Sequence, residues 1–586
     1  MPFQVSPGVS VVETDLTTIV PTISTTAAGF VGSFAWGPAN EVRTISSENE
    51  LREVYGDPDE DNFTYWFSAA NFLRYGSNLQ VVRAVGDSSR NAAQPGINTG
   101  GVVGFPFADK LEAVDGLAAV TKGTFASRFP GAIGNNLGIA VLDSAGGTGT
   151  TLGSWGTNGV YGSYFRAEPD TSARAAERTG ISTGFKDEIH VIVYDATGYF
   201  TGTKDTPLEI YEGLSKATDA KKDDGTSNYY RTAINNESRY VAVLKGFSAN
   251  TGGTGAAVEK TIQEMYNGNA NAEFVDFFGG LTQGFQLVGG SSDVDTSAIS
   301  TYYTDVFSNS ETQDVSLLVA GPADNTLRNT IVDIAETRKD CVAFVSPDLD
   351  DVTGIADSLK SDAVIAARND ITTKSSYAVM DSGWKYQYDP YNDKFRYVPL
   401  NADIAGLCAK TDQIAEPWFS PAGFNRGAIR NVLKLAYSPD KTDRDKLYVK
   451  GVNPVVSFTG EGIVLFGDKT MQAKPSAFDR INVRRLFNIL EKSIATAAKF
   501  SLFEFNDEFT RAAFRNLVEP FLRDVQARRG IFDFKVVCDE SNNTPLVIDK
   551  NEFRADIYVK PARSINFITL NFVASPTGVD FDEIGA

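Results

Sequence analysis

Two strand–helix–strand patterns, far apart in the chain, constrain the fold more than any other feature of this sequence. The first runs from about Thr25 to Val85, with apolar strands in "AAGFVGSFAWGP" and "LQVVRAVG" and a helical "NFTYWFSAANFLRYG" between them. The second consists of "VSLLVAG", "NTLRNTIVDIAETRKD" and "CVAFVSPD". Parallel strands need such a helical crossover. We therefore predict an α/β core that is discontinuous in sequence.

The intervening stretch, from Asp87 to about Asp340, has a different character. Gly, Ser, Thr and Asn are frequent and the strands are short, notably "LGIAVLD", "EIHVIVYD" and "YVAVLK". This pattern predicts inserted material that is mostly β or mixed. The run "GGTGTTLG" at Gly146 to Gly153 is more typical of a surface loop than of a dinucleotide-binding fingerprint.

The C-terminal part, from Phe478 onward, predicts an α+β unit. Its first helix has one apolar stripe, formed by Ile481, Val483, Leu486, Phe487, Leu490 and Ile494. A second helix is expected to begin with Asn506 as its cap and to kink or restart at Pro520. Strands are predicted at "IFDFKVVC" and "EFRADIYVK", and the chain closes with the strand-like "SINFITLNFVAS".

Composition excludes several classes of function. The chain has 586 residues, 54 Lys and Arg against 74 Asp and Glu, and a formal charge of -20, which argues against nucleic acid or an anionic membrane as partner of the whole surface. Cys341, Cys408 and Cys538 show no paired spacing. Neither a signal peptide nor a membrane span is visible, and we expect a soluble protein made in a cytoplasm.

Catalytic motifs are weak or missing. "GIVLFGDKT", Gly462 to Thr470, resembles a phosphate-binding loop, but Asp468 separates the second glycine from Lys469 and the residues between the glycines predict a buried strand. The single histidine, His190, lies in an alternating strand pattern, which favours a structural role. The acidic run from Pro347 to Gly354 misses the calcium-loop order and predicts a helix cap or solvated turn. No cofactor or metal is expected.

Eight stretches in the same order resemble the contractile tail sheath proteins of myovirus-type phages, especially the long T4-like members. They are "SPGVSVVETD", "AAGFVGSFAWGPANE", "FLRYGSNLQVVRAV", "RFPGAIGNNLGIAV", "GTSNYYRTAINNESRYV", "EPWFSPAGFNRG", "GVNPVVSFTGEGIVLFGDKT" and "INVRRLFNILEKSIATAAKFSLFEFNDEF". The resemblance implies a structural, non-enzymatic subunit in which the Gly462 to Thr470 loop is a strand and turn. It also implies a metastable helical polymer of stacked, hexameric rings that contracts to drive a tube through the host envelope for genome delivery.

The resemblance also implies an α/β and α+β multidomain layout. The expected ranges are an N-terminal arm strand at 1–20, sheath core at 21–86, a β-rich protruding domain at 87–185, a mixed second outer domain at 186–344, further core at 345–477, a tube-facing α+β domain at 478–564 and a C-terminal arm strand at 565–586. The implied partners are further copies of the chain, the tail tube protein, and baseplate and tail terminator proteins, with no nucleic acid and no membrane insertion. The implied location is the virion tail, after assembly in the host cytoplasm.

Two sets of residues are candidates for contacts between proteins. The first set is the arm strands, which in this family complete the C-terminal sheet of neighbouring subunits: Val9, Val11, Val12, Ile565, Phe567, Ile568, Leu570 and Phe572. The second set comprises Arg515, Arg523, Arg528 and Arg529, because residues 478–535 carry eleven Lys and Arg against eight Asp and Glu. These arginines are predicted to face an acidic tube.

Each assignment has an alternative. The arms would otherwise complete the sheet of their own subunit, and Arg528 and Arg529 would otherwise complement a helix C-terminus. For the whole chain, the alternatives are a sheath of a bacteriocin or secretion machine and, far behind it, a nucleotide-binding enzyme.

Overall fold

A computed structural model of the chain describes residues 24–86, 88–94, 125–143, 151–155, 160–244, 249–250, 257–258, 260–266, 284–293 and 296–566. The strands, in chain order, are β1 (Ala28–Gly32), β2 (Val42–Ile45), β3 (Leu79–Arg83), β4 (Phe125–Ser127), β5 (Leu137–Asp143), β6 (Glu188–Asp195), β7 (Thr206–Ser215), β8 (Val241–Val243), β9 (Ala249–Asn250), β10 (Ala257–Val258), β11 (Phe285–Gln286), β12 (Leu317–Val319), β13 (Val342–Val345), β14 (Ala378–Asp381), β15 (Trp384–Asp389), β16 (Lys394–Pro399), β17 (Lys434–Leu435), β18 (Val452–Asn453), β19 (Val455–Phe458), β20 (Gly462–Leu465), β21 (Ile531–Val537) and β22 (Asp556–Pro561). The helices are α1 (Glu48–Tyr55), α2 (Phe63–Leu73), α3 (Ala173–Thr179), α4 (Tyr230–Glu237), α5 (Ile262–Tyr266), α6 (Thr296–Phe307), α7 (Asn325–Arg338), α8 (Asp357–Asp370), α9 (Asn401–Ile414), α10 (Lys441–Val449), α11 (Ile481–Ala498), α12 (Glu508–Ala527) and α13 (Pro545–Asp549).

A seven-stranded sheet forms the core, in the order β18-β14-β13-β12-β1-β3-β2. Every neighbouring pair is parallel except β2 and β3. Helices cover both faces, because Gly29 lies against Phe307 of α6, whereas Gly32, which points the other way, lies against Tyr65 of α2. The central strands β1, β12, β13 and β14 are therefore buried along their whole length. The predicted discontinuous α/β core is confirmed.

An antiparallel sheet organises the insertion, in the order β11-β5-β6-β7. One side of it packs into a separate apolar core with β4, α4 and β8. The buried Arg83, at the end of β3, joins this unit to the core. Its guanidinium donates to the carbonyls of Phe34, Gly37 and Pro130 at 2.7 to 2.8 Å.

Two predicted domain boundaries need correction. The boundary between 344 and 345 is too late, because β12, α7 and β13 already belong to the core sheet and its α/β crossovers. The boundary between 185 and 186 divides one sheet, because β5 pairs with both β6 and β11. The sequence did not locate these two boundaries, because membership of a sheet depends on pairing between distant strands.

The C-terminal unit contains α11, α12, β21, α13 and β22 around a small core of Leu486, Leu490, Phe514, Val518, Leu522, Val525, Ile531 and Cys538. The cap of α12 is Asp507, not Asn506, because the Asp507 carboxylate accepts from the backbone N–H of Thr510 at 2.8 Å. Helix α12 does not restart at Pro520, because it continues from Glu508 to Ala527 with the proline inside it. Pro520 and Asn516 are both exposed, so water can satisfy the carbonyl that the proline leaves unbonded.

Candidate functional site

Helices α11 and α12 form an antiparallel hairpin, and Trp418 marks the end where both meet the core. The Trp418 carbonyl accepts from Asn482 Nδ2 at the start of α11, at 3.3 Å. Its indole Nε1 donates to the Arg528 carbonyl at the end of α12, at 3.0 Å. The turn between the helices therefore lies at the opposite end of the hairpin.

Strands β21 and β22 form a sheet of only two strands, antiparallel, with an irregularity near Ile531. Phe534, Val536, Ile557 and Val559 are partly buried against the helices. Within the described residues neither strand has a second partner, so both outer edges of this sheet are open. A sheet of two strands is marginal by itself, and open edges are templates for strand addition.

Asp468 is the centre of a buried polar cluster at the junction of the core and the C-terminal unit. Its Oδ1 accepts from Arg480 Nη1 at 2.8 Å and from the Tyr448 hydroxyl at 3.2 Å. Its Oδ2 accepts from the hydroxyls of Ser420 and Ser564 at 3.1 and 2.7 Å. The carboxylate therefore ties four separate segments together. It fixes the chain where it leaves toward the C-terminus.

The charge of Asp468 is stabilised by these contacts. Burial alone would raise its pKa, but the hydrogen bond from Ser564 and the charge of Arg480 outweigh burial and hold the pKa below the usual range of a carboxyl. The cluster also accounts for the near-miss phosphate loop. Lys469 donates its Nζ to the Tyr448 carbonyl at 2.8 Å and lies over the Tyr448 ring. The preceding residues form β20, as predicted.

A cleft of about 810 Å³ lies beside the cluster. Trp418, Phe419 and Phe466 supply its aromatic walls. Its charged lining consists of five basic and two acidic side chains, Arg426, Lys441, Arg444, Arg529, Arg563, Asp445 and Asp468. Arg444 stacks near Phe466, with the guanidinium carbon 5.9 Å from the ring centroid. We call this feature the basic cleft.

The four predicted arginines are not equivalent. Arg515 is partly buried, whereas Arg523, Arg528 and Arg529 are exposed. Arg528 pairs with both Asp524 and Glu416, at 3.1 and 3.2 Å. Arg523 is 3.8 Å from Glu519, and Arg529 lines the basic cleft. The tertiary structure brings Arg528 and Arg529 to the Trp418 end of the hairpin.

Much of the local positive charge serves the fold itself. Arg485 is buried against Asp412 at 2.6 Å, and Arg484 lies 4.3 Å from the Tyr377 ring centroid and 3.3 Å from Glu491. Arg480 belongs to the Asp468 cluster. The excess of basic residues between 478 and 535 therefore has a structural explanation in part.

Of the predicted arm residues, only Ile565 lies within the described chain. Its side chain is 83% exposed and lines the basic cleft beside Ser564 and Asn566. The other arm residues, Val9, Val11, Val12, Phe567, Ile568, Leu570 and Phe572, lie outside the described residues.

The residue types that are common at catalytic and metal sites have structural roles here. His190 Nε2 bonds the Ala167 carbonyl at 2.8 Å and its Nδ1 accepts from the Gly213 N–H at 3.0 Å, as expected of a structural strand histidine. The acidic run forms a capping box around a short 3-10 helix at Leu349–Asp351, also as predicted. The three cysteines are free and buried. In the ranges that the structure describes, no cluster of ligands fits a metal and no helix is suited to span a membrane.

Sequence reasoning missed the Asp468 cluster and a surface at the turn of the hairpin. The turn exposes Phe500, Leu502, Phe503, Phe505 and Phe509. The signal was present in "KFSLFEFNDEF", where phenylalanines continue after the helical stripe of α11 has ended. The cluster had only a partial signal, the carboxylate that interrupts the phosphate-loop pattern.

The fold and these surfaces define a multidomain protein of α/β and α+β units that exposes apolar side chains and open strand edges. Two family models match it, phage tail sheath protein central domain over residues 298–471 and phage tail sheath C-terminal domain over residues 473–575. The central-domain match begins at residue 298, which agrees with the position of β12, α7 and β13 in the core.

Relatives match over almost the entire length. The chain is 34% identical to the tail sheath protein of Enterobacteria phage T4 and 35% identical to that of Vibrio phage KVP40, with 99% of each chain covered in both alignments. The crystal structure of a sheath tail protein from Desulfitobacterium hafniense has the same general fold, with a TM-score of 0.51 at 11% identity over 95% of this chain and 100% of that chain. The chain therefore belongs to the family of phage tail sheath proteins. It is a structural component of a contractile phage tail.

Proposed function

We propose that copies of this chain polymerise into a helical sheath around a tail tube, and that terminal arms of neighbouring subunits complete the β21–β22 sheet. The observation that carries this proposal is the open edge on each side of that two-stranded sheet within the described residues. Residues 565–586 and 1–20 have strand-like patterns and supply the added strands.

The free energy of strand addition is large enough to join neighbouring subunits strongly and small enough for the link to be reversible. Each arm adds roughly four to six backbone hydrogen bonds at about 1 kcal/mol net apiece, before the cost of ordering the arm. The Asp468 cluster anchors the start of the C-terminal arm through Ser564. Because the anchor is buried, the arm transmits force directly to the core.

Contraction follows from two packings of the same subunits. The sheath assembles in an extended state and converts to a shorter, wider state when a baseplate protein triggers it. A difference of a few kcal/mol per subunit is enough, because it is multiplied over the polymer. The conversion drives the tube through the host envelope, and no catalytic step is required. Assembly takes place in the host cytoplasm, and a terminator protein closes the sheath.

The remaining surfaces are assigned by their chemistry. The exposed Arg523 and Arg529 contact an acidic tube surface, with Arg515 and Arg528 beside them. The inserted units protrude from the sheath, which agrees with their separate apolar core. Full-length similarity to phage sheath proteins favours a phage tail over a bacteriocin or secretion machine.

Truncation tests the arms. Removing residues 1–15, or residues 567–586, is expected to leave a folded subunit with an unchanged melting temperature that forms no tubes in negative-stain micrographs. Unfolding or aggregation of either truncated chain would instead mean that the arms complete the sheet of their own subunit.

Substitution within the arm provides a matched control. Val9→Asn with Val11→Asn changes the apolar face of the N-terminal arm and is expected to abolish tubes. Ser6→Asn with Ser10→Asn changes polar positions of the same arm and is expected to preserve them. Normal tubes from the valine variant would contradict strand addition by this arm.

A further inference from the structure

The turn between α11 and α12 exposes aromatic side chains to solvent, and hydrogen bonds hold its backbone in place. We define the aromatic loop as residues 499–509. Phe503, at its centre, is fully exposed and has a backbone φ of +69°, a conformation that bulky residues rarely adopt. Exposure of this many neighbouring apolar groups marks an interaction surface.

Polar contacts hold the loop in place. Asn506 donates its Nδ2 to the Glu552 carbonyl at 2.8 Å, and its Oδ1 accepts from Arg511 at 2.9 Å. Asp507 caps α12. The phenylalanines are therefore presented by a fixed turn and not by a loose segment.

The loop and the basic cleft are complementary in character. Both combine aromatic side chains with charge, and the charges have opposite signs. Glu504, Asp507 and Glu508 outnumber Lys499 in the loop. In the cleft, five basic side chains outnumber two acidic ones, and one of the two, Asp468, is already paired with Arg480.

The loop cannot reach the cleft of its own chain. The cleft lies at the Trp418 end of the hairpin, and α11 spans 18 residues, so the loop is about 27 Å away along that helix. Two complementary surfaces at opposite ends of one unit permit a head-to-tail contact between copies. Such a contact generates a ring if the rotation between copies closes, and an open filament if it does not.

We infer that the aromatic loop of one subunit inserts into the basic cleft of a second copy of this chain. Phe503 and Phe505 pack on the aromatic walls, and Glu504 meets Arg444 and Arg563. This contact rests on the proposed polymer but is separate from strand addition, because it is formed by side chains of the loop and the cleft and not by the backbone edges of β21 and β22.

Crosslinking between two full-length variants tests the contact. Phe503→Cys and Arg563→Cys are prepared separately, mixed under assembly conditions and treated with a short bis-maleimide reagent. The native cysteines are buried, so the introduced thiols dominate the reaction. A covalent dimer is expected from the mixture, at least tenfold more abundant than from Phe503→Cys mixed with Leu359→Cys, whose site is an exposed position on α8.

Charge exchange tests specificity. Glu504→Arg alone and Arg563→Glu alone are each expected to reduce tube formation severalfold, and the double variant is expected to recover it. Phe503→Ser with Phe505→Ser is expected to abolish tubes without lowering the melting temperature, whereas Leu359→Ser preserves them.

The outcomes separate this contact from the proposed function. Normal tubes from the Phe503 and Phe505 variant, or no crosslink in assembled tubes, would overturn the docking contact while leaving the sheath proposal intact. A crosslink from Arg563→Cys only to a cysteine placed in residues 567–586 of the same chain would show that the chain fills its own cleft, which also overturns the contact. If the unmodified chain forms no tubes at all, the proposed function itself fails.

Discussion

The core sheet and the C-terminal unit use apolar side chains in opposite ways. In residues 24–86 and 296–381, which contain most of the seven-stranded sheet, the large apolar side chains that remain exposed are Ile355 and Leu359. The C-terminal unit exposes many more within residues 500–566: Phe500, Leu502, Phe503, Phe505, Phe509, Phe532, Leu546, Ile548, Phe553, Tyr558 and Ile565. These two stretches of the core bury nearly all of their large apolar side chains, whereas the C-terminal unit leaves apolar surface for other chains to cover.

Stability and assembly therefore depend on different parts of the chain. A buried phenylalanine contributes to the folding of its own subunit. An exposed phenylalanine contributes only once a partner removes it from water. Substitutions in the two regions should therefore affect different measurements.

The largest effect is expected in the core. Phe30 is fully buried, and its ring lies against Gly32 and Gly321. Phe30→Ala should lower the free energy of unfolding by about 3 to 5 kcal/mol through lost burial and a cavity. Phe503→Ala should change it by less than about 0.5 kcal/mol. Calorimetry on both variants checks the comparison, and equal losses would contradict it.

Two buried carboxyls, Asp381 in the core and Asp468 at the junction with the C-terminal unit, should affect the pH dependence of stability in opposite directions. Asp381, at the end of β14, is fully enclosed, and burial raises its pKa to about 8 in spite of hydrogen bonds from Ser346 and Gly383. Since the unfolded chain has the ordinary pKa near 3.9, Asp381 contributes stability that is present at low pH and is lost as the pH rises through about 8. In the unmodified chain, Asp381 should lower the free energy of unfolding by about 3 kcal/mol as the pH rises from about 5 to about 8. Asp381→Asn should abolish this decrease, as measured from melting curves of the core. An unchanged pH dependence would show that Asp381 is ionised in the folded protein.

Asp468 should behave with the opposite sign. Its pKa is lowered, so its contribution is present above the ordinary carboxyl pKa and is lost as the pH falls through the folded value. Asp468→Asn should cost about 2 kcal/mol at pH 7, because Arg480 loses a charged partner and one of the two carboxylate oxygens that accept hydrogen bonds is replaced by an NH2 donor. The variant should also increase protease cleavage after residue 564. Ser420→Ala removes a single partner of the cluster and serves as the milder control.

The smallest effect on stability is expected at the exposed arginines. Arg523→Glu with Arg529→Glu should change the free energy of unfolding by less than about 0.5 kcal/mol. It should nevertheless weaken assembly on purified tail tubes at physiological salt, because the charge that faces the tube is reversed. Lys221→Glu with Arg239→Glu makes the same change of charge on the inserted unit and should assemble normally. Equal behaviour of the two double variants would assign Arg523 and Arg529 a purely local role.

Sequence patterns were most informative where a segment is buried along its whole length. The predicted strands "LGIAVLD" and "EIHVIVYD" coincide with β5 and β6, because uninterrupted apolar runs between polar turns have few alternatives. The stripe of α11 was also predicted correctly. Strand β2 was missed, since its sequence "VRTI" is mostly exposed and carries little apolar signal.

The residue pattern alone predicts the class of the core, including its return near residue 315, and the C-terminal helices and strands, and the resemblance predicts the family. The tertiary structure was needed for the order of the strands in the core sheet, in which β12 pairs with β1, and for the contacts of Asp468 with Ser420, Tyr448, Arg480 and Ser564. It alone placed the aromatic loop and the basic cleft at opposite ends of one hairpin. The physical reason is range: burial along one strand or helix leaves a periodic pattern in neighbouring residues, whereas contacts between segments tens to hundreds of residues apart leave none.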